Sequence, residues 1–159
     1  MKRLLQLSVG LVAIMMIATH TLAASTPVIT GIASGLELCF QFICGSAIFG
    51  GDVQLRVDGK PRKGSFLVAA THQSPLPDEE GETVLILSGD WVIATRKDVF
   101  RGDVTSGTIT RLAGNNFAVN AELTLENGGT GTIYFSGTLS HEQFPFTIVG
   151  VISQAPPAP

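Results

Sequence analysis

Phe117-Ala118-Val119-Asn120-Ala121-Glu122-Leu123-Thr124-Leu125-Glu126 runs into Asn127-Gly128-Gly129 and then into Ile133-Tyr134-Phe135, and this stretch decides the fold class. Phe117, Val119, Ala121, Leu123 and Leu125 alternate with mostly polar neighbours. A period of two with one apolar face is a half-buried strand. Asn127-Gly128-Gly129 supplies residues that accept positive φ, as a tight hairpin turn requires. Ile133, Phe135 and Leu139 resume the alternation, with Gly137 in the fourth inward place. The hairpin 117–139 is expected to be central, with Phe117, Val119, Leu123, Leu125, Ile133 and Phe135 inward.

Working outward, Phe146, Ile148 and Ile152 form a last strand, with Gly150 in the matching slot. Val149 and Val151 make its other face apolar, which predicts cover on both sides. Upstream, Thr105–Leu112 is a weaker strand anchored on Ile109. Trp91–Thr95 and Thr83–Leu87 read as two strands divided by Ser88-Gly89-Asp90. Gln73–Glu82 holds two prolines, four acids and a glycine and is irregular. Phe66, Val68 and Ala70 alternate after Gly64. Val53, Leu55 and Val57 alternate with polar residues until Gly59-Lys60-Pro61. Leu36–Phe49 reads as a strand pair in preference to a helix, given Gly45, the β-branched Ile43 and Ile48, and its aromatic density.

The sum is roughly nine strands: an all-β fold, a single antiparallel barrel or sandwich of about 8–10 strands. Three Ser-Gly pairs recur, at Ser88-Gly89, Ser106-Gly107 and Ser136-Gly137, with no fixed period. Such pairs are common at bends and bulges. Glycine inside a strand also lets a sheet coil tightly, as closure requires. Gly102, Gly137 and Gly150 fit that role, and they tilt the reading toward a barrel.

The first residues describe a destination. Lys2 and Arg3 precede an apolar run from Leu4 to Ile17, and Thr21-Leu22-Ala23-Ala24 supplies small residues. That order is a secretory signal peptide over residues 1–24, helical before cleavage. The expected organisation is this signal, an all-β domain over 25–153 and a disordered Pro/Ala-rich tail over 154–159. Localisation is expected to be secreted or periplasmic, with no membrane span after cleavage. Cleavage removes two basic residues and no acidic ones, moving the balance from −3 to −5. Mild acidity argues against a nucleic-acid partner. Lys60-Pro61-Arg62-Lys63 is the tightest basic cluster and reads as a solvated loop.

Cys39 and Cys44 are the only cysteines. An exported chain with two cysteines usually joins them, so a structural disulfide is expected; the four-residue spacer fits neither a redox nor a zinc motif. His72 and His141 are the histidines outside the signal. Neither sits in a nucleophile motif, and there is no Gly-x-Ser-x-Gly elbow, so each is expected to be structural or solvated. Both fall near strand ends, and strand order decides whether they share one. They are not expected to form a catalytic pair. Asp78-Glu79-Glu80 and Glu82 lack the spacing that wraps an ion and read as a solvated loop. Trp91, the only tryptophan, is expected in the core with its N–H bonded, the alternative being a sugar platform.

These residues assign no catalytic role, cofactor or metal. The functional expectation is a non-enzymatic binding module for a small apolar ligand. The alternative is a structural or assembly protein of the cell envelope, whose partner is another envelope protein. A hydrolase or isomerase has the least support. An interior cavity would favour the first; a fully packed interior with an exposed apolar patch would favour the second.

Overall fold

The computed structural model describes residues 26–126 and 130–156. The expected signal segment 1–24, the turn Asn127-Gly128-Gly129 and residues 157–159 lie outside the described residues.

Eight strands form the structure: β1 (Ile29–Cys39), β2 (Ala47–Val57), β3 (Lys60–His72), β4 (Thr83–Thr95), β5 (Val99–Arg111), β6 (Asn116–Leu125), β7 (Gly131–Ser140) and β8 (Thr147–Ser153). Each pairs antiparallel with the next, and β1 pairs with β8 from Gly31↔Ile152 to Leu36↔Thr147. The sheet is therefore a closed barrel. One helical turn, α1 (Gln41–Cys44), lies between β1 and β2.

Alternation builds the interior. Among the described residues, those buried over backbone and side chain together are apolar, and Phe117, Ile29, Ile133 and Val53 are the largest of those sealed most completely. Asp52, Gln54 and Arg56 face outward from the middle of β2. The interior is thus unlike the polar lumen of an outer-membrane barrel, while the outer face is mixed, with Ile32, Leu67, Leu85, Leu87, Val149 and Val151 also exposed on it. The expected hairpin lies inward as read: Phe117, Val119, Leu123, Leu125 and Ile133 are buried, and Phe135 packs against them.

Closure demands tight coiling between β7 and β8. Gly137 pairs with Gly150, and the Phe135 ring lies across both. A Cβ on Gly150 would stand 2.5 Å from Phe135 Cζ, and one on Gly137 2.7 Å from the same atom. An aromatic ring laid over paired glycines is a known device for pinning a bent sheet.

Three expectations are corrected. Thr83–Leu87 and Trp91–Thr95 are one strand, β4. Val84 and Ile86 point inward, Leu87 and Ser88 are both exposed, and inward placement resumes at Trp91. Ser88-Gly89 follows a β-bulge that changes the phase of the strand without ending it. Ser106-Gly107 lies at a second such shift, between β5 and β6. Lys60-Pro61-Arg62-Lys63 is the start of β3 and not a loop, because Asp58 (φ 50°) and Gly59 (φ 76°) form a two-residue hairpin turn before it. Val149 and Val151 are half-exposed on the barrel exterior, so β8 is covered on one face only. Leu36–Phe49 is a strand pair as expected, the end of β1 and the start of β2, joined by the single helical turn α1; the strand β1 upstream of Leu36 was not foreseen.

Truncating Leu123 to alanine should cost about 2–5 kcal/mol in chemical denaturation, as buried leucines do. Glu122→Ala, on the outer face with only Ser106 Oγ at 3.5 Å, should cost less than about 0.5 kcal/mol. Gly150→Ala should cost about 1–3 kcal/mol, because its methyl meets the Phe135 ring.

Candidate functional site

The two ends of the barrel differ. One end carries the Asp58-Gly59 turn, the β4–β5 connection, the start of β1 and the end of β8. It is filled by Ile29, Val57, Phe100, Leu125 and Ile133. The other end carries α1 and the loops 73–82, 112–115 and 141–146. Here the interior is not full. A cavity of about 90 Å³ runs from Trp91 and Ile93 toward this end, several times the ~10–15 Å³ that one water molecule needs. Its room comes from small inward residues, Ala33, Ala47, Ala70 and Ala121. Leu76 of the irregular loop packs against the core from the mouth.

Among the described residues only two polar ones, Glu37 and His72, line this otherwise apolar space. Both continue an inward series: Glu37 follows Ile29, Gly31, Ala33 and Gly35 on β1, and His72 follows Phe66, Val68 and Ala70 on β3. Each lies where the ladder register shifts, at Glu37/Cys39 and at Thr71/His72. Bulges at barrel rims re-aim side chains in this way.

Glu37 is held from outside the cavity. Its side chain is 5% exposed, and its Oε2 lies 2.8 Å from Nε2 of His141, itself 11% exposed. The His141 ring stacks on Phe146 at 4.2 Å and meets Phe117 edge-on at 5.3 Å. The Glu37 backbone N–H donates to Phe146 O. β1, β6 and the 141–146 loop thus converge on one carboxylate. His72 is fixed differently. Its Nδ1 lies 2.7 Å from Gln73 O. Its backbone groups are clamped by the Gln41 amide, which donates to His72 O at 2.8 Å and accepts from His72 N at 2.7 Å. That clamp ties α1 to the end of β3.

His72 and His141 therefore share a barrel end, but each has its own partner and no hydrogen bond joins them. Trp91 is in the core, its Nε1 donating to Thr124 O at 3.0 Å, and its ring borders the cavity. Cys39 and Cys44 are joined, with Cα atoms 6.2 Å apart. Their link closes the turn that presents Phe42, 84% exposed, beside the mouth; Phe144, 81% exposed, stands on the neighbouring loop. Asp78, Glu79, Glu80 and Glu82 are all exposed. Among the described residues no group of three His, Cys, Asp or Glu side chains is placed to hold a metal ion. Glu37 was missed in the sequence because glycines at 31 and 35 thin the apolar face of β1. Its parity with Ile29 and Ala33 was the available signal.

Comparison with known proteins finds no matching family model, no matching characterised sequence and no matching solved structure.

A Cys39→Ala, Cys44→Ala double variant should unfold cooperatively, with a loss below about 3 kcal/mol, because so short a loop removes little chain entropy. Thermal unfolding followed by circular dichroism measures this. Complete loss of structure would contradict it.

Proposed function

We propose that the protein is a non-enzymatic binding module that holds a small apolar ligand inside the barrel. The cavity carries this reading: a small closed barrel with a packed interior has no need of one, and the lining offers an apolar body little but hydrocarbon and aromatic surface. Apolar cavities of this order stay dry and take up apolar molecules. The mouth at the 73–82 loop, with Leu76 over it, gives a route in. The joined cysteines are compatible with an oxidising compartment. Together with the signal pattern of residues 1–24 they support a secreted or periplasmic product beginning at Ser25. Intact-mass analysis of the exported protein tests this, and a soluble form retaining Met1 would overturn it.

One observation favours a second reading, an envelope assembly protein. Phe42, Ile43 and Phe144 stand exposed around the mouth, and exposed apolar residues grouped in this way mark contact surfaces. The partly empty interior favours the ligand reading over it.

Trp91 is the only tryptophan and borders the cavity, so the protein contains its own reporter. Titration with hexanol should shift Trp91 fluorescence saturably. Ala121→Phe, which fills the cavity from β6, should abolish that shift while keeping the unfolding temperature at or above the original. A saturable shift that survives the filling substitution would place the binding elsewhere.

A further inference from the structure

We propose that the ligand carries a cationic, hydrogen-bond-donating head, an alkyl- or arylalkylammonium group, seated between Glu37 and His72 with its apolar body in the cavity. The inference rests on the cavity being a ligand site and adds the chemistry of its mouth.

The two polar lining groups are both acceptors. Glu37 uses Oε2 toward His141, and among the described residues no donor reaches Oε1. A carboxylate has room for several hydrogen bonds. The carbonyl of Gln73 can only accept, so His72 Nδ1 carries the proton of that contact. In the neutral ring Nε2 is then an acceptor, and no partner meets it among the described residues. An ammonium group has three donors, enough in number for two acceptors. An alcohol has one. A carboxylate head has none, and it would bring a second anion against Glu37.

The charge on the barrel agrees. Asp78, Glu79, Glu80, Glu82 and Glu142 lie on the 73–82 and 141–146 loops at the same barrel end as Glu37, and Arg111, stacked on Phe117 at 4.9 Å, is the only lysine or arginine at this end among the described residues. Arg62, Lys63, Arg96 and Lys97 all lie toward the closed end. A field of one sign over a cleft raises the local concentration of the opposite charge. Glu37 is also held before any ligand arrives, by His141 packed between Phe146 and Phe117. Preorganisation of this kind lowers the ordering cost of binding.

Hexylamine, hexanol and hexanoate share one chain and differ in the head. Trp91 fluorescence and calorimetry at neutral pH should rank hexylamine at least about tenfold tighter than hexanol, with hexanoate the weakest. The hexylamine advantage should shrink with added salt. Glu37→Gln should bring hexylamine to parity with hexanol, and retained hexanol binding shows that the variant is folded. Should that variant fail to fold, His72→Leu, whose ring supports no other side chain, should lose part of the advantage. Hexanoate binding as tightly as hexylamine, or an advantage untouched by both substitutions, overturns the proposal. Equal binding of all three overturns the head-group assignment and leaves the apolar site standing. Binding of none overturns both.

Discussion

Everything else in this protein depends on the pairing of β1 with β8. A sheet of this size left open would present two rows of unpaired backbone donors and acceptors. The ladder from Gly31↔Ile152 to Leu36↔Thr147 removes both edges at once. Closure then sets the interior, because strand number fixes the width of a small barrel. It also dictates sequence far from the seam. The paired Gly137 and Gly150 let β7 and β8 approach and bend, and the Phe135 ring covers the gap they leave. The cavity is a product of the same geometry. Eight strands enclose a nearly constant width, and alanines at 33, 47, 70 and 121 leave part of it unfilled.

The legible parts of the fold were those where a single physical signal dominated. β6 and β7 alternate cleanly because one face meets the core and the other meets water, so period two shows through without interruption. β1 was illegible for the opposite reason. After Ile29 its inward places are Gly31, Ala33, Gly35 and Glu37, a face made of small groups and one charge. Hydrophobicity carries no period there, although β1 pairs with β2 from Ile29 to Cys39 across one register shift and with β8 from Gly31 to Leu36. β4 was misread at Ser88-Gly89-Asp90 because a loop and a bulge use the same residues. A bulge changes which parity faces inward, and the shift from Ile86 to Trp91 records that change.

The site shows the same division. His72 stood out as a rare residue, and Trp91 as the only one of its kind, so both were candidates from composition. Their surroundings were not readable, since they depend on which loops share a barrel end. Glu37 was one glutamate among several until β8 and the 141–146 loop brought His141 against it. The cysteines were readable as a pair by count. Their role in holding the turn that carries Gln41, and through Gln41 the end of β3, follows only from the fold.

The seam has a further consequence, for the order of assembly. The other seven strand pairs join neighbours in sequence across short connections, but β1 and β8 come from opposite ends of the domain. Contacts between such distant segments carry the largest loop-closure entropy and form late. Until then β1 and β8 are open edges, and the outward side chains beside them, Ile32, Val149 and Val151, are apolar. A sheet with its seven neighbouring pairs formed and its seam open would present two unpaired edges flanked by these apolar side chains, the arrangement that favours edge-to-edge association with another copy.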